Sequence, residues 1–217
     1  MKHARPLPPF LIARHQRWME QMPDTDRTRL ADLAHEGQQP QAMIIACCDS
    51  RVMASDVFGA EAGEFFVHRN IANLVPPFQP DGQQHGTSAT IEFAVTVLKV
   101  AHLIVMGHYG CGGVKGCHDM FAGEAPELTD PASFVGSWLR VLEPGYQAVA
   151  AQKLDFDDRL VALERQAVLV SLDNLMTFPF VRSAIEAGKL EIHGVWKDIR
   201  DGGLEVYDAE AERFARL

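Results

Sequence analysis

The chain has 217 residues, enough to bury roughly 70% of its unfolded surface and to fold without disulfide staples. Twenty Lys and Arg against 29 Asp and Glu leave a net charge of −9, which argues against a general phosphate-backbone binder and against docking on anionic lipid. Four cysteines are too few for a disulfide scaffold of this length, so in a reducing cytosol a clustered set points to metal binding or catalysis.

Pro6, Pro8 and Pro9 predict an extended start, and Leu11–Gln21 reads as a helix. Asp24 or Thr25 is the predicted N-cap of a second helix with Leu30, Leu33 and Ala34 on one face and Gly37 as its stop. Ala42–Cys47 (AMIIAC) is a short, continuous apolar run, the signature of a strand buried on both faces. Phe65–His68 is the next predicted strand, and Val75–Gly86, rich in Pro, Gly and Gln, reads as a loop. Thr87 or Ser88 then caps a helix bearing Ile91, Ala94, Val95 and Leu98 at helical spacing. His102–Met106 is a third buried-type strand. A long helix follows with Leu160, Leu163, Ala167, Val168, Leu172 and Leu175 on its apolar face, then a strand at Lys189–His193 and an edge strand at Leu204–Tyr207. No run approaches 18 apolar residues, so no membrane span and a cytoplasmic protein are expected.

Strands alternating with helices imply an α/β fold with a mainly parallel sheet, whose site lies beyond the carboxyl ends of the strands. Two such ends carry unusual residues: Cys47-Cys48-Asp49-Ser50-Arg51 after the first strand, and Gly107-His108-Tyr109-Gly110-Cys111-Gly112-Gly113 after the third. If these strands are neighbours, Cys47, His108 and Cys111 converge on one ion. Thiolate and imidazole are preferred zinc ligands, and three of them leave a position open for chemistry. Asp49 and Arg51, two apart, project to the same side, where Arg51 can hold Asp49 ionised and oriented. Two thiolates and a neutral imidazole leave zinc formally uncharged, so its water is expected to ionise at higher pH than on three histidines.

CxDSR followed by HxxCGG resembles the β-class carbonic anhydrases. The similarity extends through FFVHRNIANLVPP (65–77), SATIEFAV (88–95), GHYGCGGVKG (107–116) and LEIHGVWKDI (190–199). The resemblance implies one domain over 1–217, with a central, mainly parallel sheet, flanking helices and residues 1–36 as an N-terminal helical arm. It implies Cys47, His108 and Cys111 as ligands of one Zn²⁺ and Asp49 and Arg51 as the dyad beside it. Gln38, Phe66, Ile71 and Phe93 would bind substrate. The implied reaction is reversible hydration of CO₂ to bicarbonate by attack of zinc hydroxide, in a homo-oligomer with no nucleic-acid or membrane partner. One branch of the family is inhibited by bicarbonate at a second site that includes a Trp three residues before the first ligand. Here Ile44 stands there; Arg69 matches an arginine of that site but the site is incomplete, so an open form with Asp49 off the metal is expected at neutral pH.

Two other readings use the same residues. Carbonyl sulfide or carbon disulfide can replace CO₂ as substrate. Gly107, Gly110, Gly112 and Gly113 superficially suggest a phosphate cradle, but there is no GK[ST], and His108 and Cys111 would be idle. Cys48 is expected to point away from the ligand face as a buried small hydrophobe, and Cys117 to be structural. His68, His85, His102, His118 and His193 are expected to be satisfied or solvated. Asp56 and Glu92 are expected to be surface or interface carboxylates, and the run Glu205, Asp208, Glu210, Glu212 a solvated face.

Overall fold

The computed structural model describes residues 3–217. They form two compact units, one ending at Gln38 and the other spanning Gln39–Leu217. The first unit holds α1 (Pro9–Gln21) and α2 (Asp24–Glu36). Pro9 opens α1, where its missing N–H costs nothing. Pro23, not Asp24 or Thr25, occupies the cap of α2; Asp24 and Asp26 instead lie in the first turn, at the positive end of the helix dipole. Gly37 ends α2 at φ 86°, as its position predicts. Neither helix buries a residue, and Leu7, Phe10, Ile12 and Trp18 are exposed.

In the second unit the strands are β1 (Ala42–Cys47), β2 (Phe65–Asn70), β3 (His102–His108), β4 (Glu191–Lys197), β5 (Leu204–Asp208) and β6 (Arg213–Arg216). They form one sheet in the order β2-β1-β3-β4-β5-β6, parallel through β4 and antiparallel thereafter. All six residues of β1 are buried, as the continuous apolar run predicts. Met43 and Ile45 pack with Val75, Ile91 and Leu103 on one face; Ile44 and Ala46 pack with Val52, Met106 and Val195 on the other.

The helices of this unit are α3 (Ala54–Phe58), α4 (Gly86–Glu92), α5 (Gly112–Ala122), α6 (Phe134–Leu139), α7 (Glu143–Ala150), α8 (Phe156–Leu175) and α9 (Pro179–Glu186). α4 is capped at His85 rather than Thr87 or Ser88 and continues as a π-helical turn, Phe93–Leu98. Thr87 is free for another contact: its hydroxyl meets His68 Nε2 at 3.0 Å. α8 lies across β3 and β4 where two glycines admit it. A Cβ on Gly107 would meet Val168 at 2.8 Å, and one on Gly194 would meet Val168 at 2.8 Å and Leu172 at 2.9 Å. No single helix among the described residues is long and apolar enough to cross a membrane.

Three sequence expectations are corrected. β4 begins at Glu191 rather than Lys189, because Gly188 turns the chain at φ 64° and the register with β3 starts at His102↔Glu191. β5 is not an edge: β6, Arg213–Arg216, pairs outside it. Glu205 does not belong to a solvated run, since Arg165 of α8 donates to both its carboxylate oxygens at 3.0 Å.

Candidate active site

β1 and β3 are adjacent, with Ala46 opposite Met106, so their carboxyl ends bring Cys47 and His108 side by side. Beyond His108, Gly110 adopts φ 68°, a left-handed conformation that a side chain would strain, and the chain returns Cys111 to the cluster as the N-cap of α5. Gly113 allows a close approach there; a Cβ on it would meet Ile71 Cγ2 at 2.6 Å. The sulfurs of Cys47 and Cys111 are 3.8 Å apart. One ligand atom from each of Cys47, His108 and Cys111 lies within 4.8 Å of the others, and all three residues are buried.

The chemistry of this donor set fits a metal. His108 Nδ1 donates to the Tyr109 carbonyl at 2.9 Å, which fixes the tautomer and leaves Nε2 with a lone pair. That Nε2 is buried and has no protein partner, an arrangement that costs about 1–3 kcal/mol unless something fills the lone pair. The Cys111 thiol draws Cys47 down to about 4, helped by the N–H groups of Ala72 and Asp49, against the opposing effect of burial. The same contact, together with burial, pushes Cys111 up.

Asp49 and Arg51 meet as their spacing predicts. Arg51 Nε donates to Asp49 Oδ1 at 2.9 Å, Nη2 donates to Oδ2 at 2.7 Å, and the Arg51 N–H adds a third bond at 2.9 Å. These bonds hold the Asp49 carboxyl below the usual carboxylate range, against a smaller opposing effect of burial. Arg51 Nη2 also donates to the Gly110 carbonyl at 2.8 Å, tying the loop after β1 to the turn after β3. Arg69 serves the scaffold: its guanidinium donates to the carbonyls of Cys47, Asp49 and Val52 at 2.7–2.9 Å.

Sequence reasoning missed Glu164. It is 3% exposed on α8, where Oε1 accepts from the Cys111 N–H at 3.0 Å and Oε2 from Trp196 Nε1 at 3.1 Å. Burial raises its pKa, and these two donors oppose the rise. The available signal was a glutamate inside the apolar row Leu160, Leu163, Ala167, Val168.

Cys48 is exposed, contrary to expectation, because β1 ends at Cys47 and strand alternation ends with it. Its side chain lines a groove of about 450 Å³ with His68, Ile71, Phe134 and Trp138. Cys117 is fully buried beside the Leu139 carbonyl, its thiol pushed up to about 12 by burial. Phe66 and Phe93 form an aromatic pair with centroids 5.8 Å apart. Met43, which pairs with Phe66, lies four residues before Cys47, placing the pair about 13 Å back along the sheet from the cluster. Gln38 is an exposed residue of the N-terminal unit.

The family model "Carbonic anhydrase" matches residues 42–204, which include the cysteine–histidine cluster, the Asp49–Arg51 pair and Glu164. The chain belongs to the β-carbonic anhydrase family. It is 35% identical to beta carbonic anhydrase 3 of Arabidopsis thaliana over 178 residues, 81% of this chain and 67% of that protein. Among solved structures it is similar to the β-carbonic anhydrase CcaA, with a TM-score of 0.87 and 30% identity over 95% of this chain and 90% of that one. It is also similar to a tetrameric β-carbonic anhydrase of Sordaria macrospora, with a TM-score of 0.74 and 30% identity over 91% of this chain and 94% of that one. The enzyme is thus a carbonic anhydrase, of a family whose general activity is the hydration of carbon dioxide.

Proposed function

We propose that the enzyme interconverts CO₂ and bicarbonate at a zinc ion held by Cys47, His108 and Cys111, with Asp49 and Arg51 acting beside it. The observation that carries this reading is the buried, unpartnered His108 Nε2 in a group whose ligand atoms lie within 4.8 Å of one another. Zinc bound there would supply a Lewis acid able to activate water, at a pH somewhat above that of a three-histidine site. Asp49 is an acceptor only. Three of the roughly four lone-pair sites of its carboxylate are taken by Arg51, and one remains for the proton of a water or of a bicarbonate hydroxyl. Arg51 fixes that free direction and, through Gly110, its position relative to the His108–Cys111 turn. The occupation of both Asp49 oxygens by Arg51 supports an open resting site. Glu164 and the Tyr109 carbonyl hold Cys111 and His108 in orientation.

Ile71, in the groove beside Cys48, is the pocket residue of the same chain. Phe66 and Phe93 lie too far from their own cluster to line it, and Phe93 is 43% exposed, which leaves it available to a second copy of the chain. Gln38 is part of the same reading by its match to the family's substrate-side glutamine. Self-association is supported by the exposed Phe10, Trp18 and Phe134 and by the tetrameric Sordaria relative; light scattering on the holoenzyme checks it. A cytoplasmic location is favoured by four free cysteines. No observation favours carbonyl sulfide or carbon disulfide over CO₂.

Stopped-flow CO₂ hydration with metal analysis tests the reading. Cys47→Ser is expected to lose both zinc and activity. Full activity in zinc-depleted Cys47→Ser would overturn it.

A further inference from the structure

At the opposite end of the sheet from the active site, β3 and β4 bring together three side chains that the carbonic anhydrase reaction does not use. His102 is the first residue of β3 and pairs in register with Glu191, the first residue of β4. His193 lies two residues further along β4, so Glu191 and His193 share a face of the sheet with His102. The strand starts are anchored by backbone bonds: His102 N–H donates to the Gln41 carbonyl at 3.3 Å, and Glu191 N–H donates to the Ala101 carbonyl at 2.9 Å.

His102 Nδ1 is 3.1 Å from His193 Nε2 and 3.5 Å from Glu191 Oε2, and His193 Nε2 is 3.8 Å from the same oxygen. The circle through three atoms so spaced has a radius of about 2.0 Å, which matches the Zn–N and Zn–O bond lengths of about 2.0–2.2 Å. We propose that His102, His193 and Glu191 form a second metal site, for a divalent transition ion that prefers imidazole, such as Zn²⁺ or Ni²⁺.

Two imidazoles and one carboxylate suit zinc, nickel or copper better than magnesium or calcium, which take oxygen ligands. Burial and the neighbouring His102 lower the pKa of His193, against the opposing charge of Glu191, and so favour the neutral imidazole that ligates. The side chains are partly solvent-exposed, which leaves coordination positions for water or for a ligand from another molecule. The site is separate from the catalytic cluster. The seven residues of β3 run from His102 to His108, six steps and about 20 Å of extended chain. A metal here would clamp β3 to β4 at their amino ends and raise the metal content above one ion per chain.

The experiment is calorimetric titration of the zinc-loaded holoenzyme with Ni²⁺, followed by metal analysis after dialysis. One extra equivalent of Ni²⁺ per chain is expected in the parent. His193→Ala and His102→Gln should each weaken it by about 100-fold or more while leaving the tightly held zinc and CO₂ hydration unchanged. Glu124→Gln, which alters the separate grouping of buried His118 with Asp119 and Glu124, should leave the extra equivalent in place. Ni²⁺ should raise the melting temperature of the parent but not of His193→Ala, a readout that also reports whether the variant is folded. Absence of the extra equivalent in the parent would reduce the pair to an imidazole–imidazole hydrogen bond and overturn the proposal. Its persistence in both histidine variants would overturn it equally.

Discussion

Replacing Glu164 with Gln preserves its shape while removing the charge and one acceptor. In the parent, each carboxylate oxygen receives one N–H: Cys111 at 3.0 Å on one, Trp196 at 3.1 Å on the other. Gln offers one oxygen and one NH₂, so one of the two donors must face another donor. A buried polar group left unsatisfied costs about 1–3 kcal/mol, and the surviving bond loses its charge assistance, roughly a further 1 kcal/mol. Relief of the charge burial that raises the Glu164 pKa offsets part of this loss. The net expectation is a loss of about 2 kcal/mol, or roughly 30-fold in the folded-to-unfolded ratio. Urea unfolding followed by circular dichroism at pH 7.5 measures it. Zinc affinity should fall about 10–100-fold in the same variant, because the Cys111 N–H loses either its acceptor or the charge that strengthens the bond fixing its turn. In a Trp196→Phe background one donor is already gone, so Glu164→Gln should then be nearly neutral. Parent-like unfolding midpoint and zinc content in Glu164→Gln would refute the assignment of Glu164 as the residue that holds this turn.

Asp49→Ala should retain one zinc per chain while kcat/KM for CO₂ falls by about 100-fold or more, since it removes a proton-accepting group and not a ligand; loss of zinc in this variant would show that Asp49 is itself needed to hold the metal. The pH dependence follows from the sign of the Asp49 shift. Arg51 depresses the folded pKa, so the stabilisation is complete above the unfolded value of about 3.9 and is lost as pH falls through the lowered folded value. The stability gap between the parent and Asp49→Asn should therefore be flat from neutrality to about pH 5 and shrink only below it; narrowing above pH 6 would contradict this. Gly136→Ala should cost about 3 kcal/mol and lower the melting temperature by roughly 10 °C, because an added Cβ would lie 1.7 Å from the Leu128 carbonyl oxygen. A melting curve matching the parent would show that the backbone yields there.

Much of the site was legible in the linear sequence because its signals are local. Continuous apolar runs mark strands buried on both faces, and the residues that stop the runs at Cys47 and His108 lie where parallel strands end. The two-residue spacing of Asp49 and Arg51 and the glycine at position 110 are likewise local geometry. What the tertiary structure alone decided depends on partners far apart in the chain. Glu164 reaches Cys111 only because Gly107 and Gly194 let α8 lie close on β3 and β4. Cys48 is exposed because no strand continues beyond Cys47, and β6 forms because β5 offers it an open edge. His102, Glu191 and His193 become neighbours through the register of β3 with β4. Burial runs and turn residues act within a few positions, whereas register and helix packing emerge only when the whole sheet assembles around its core.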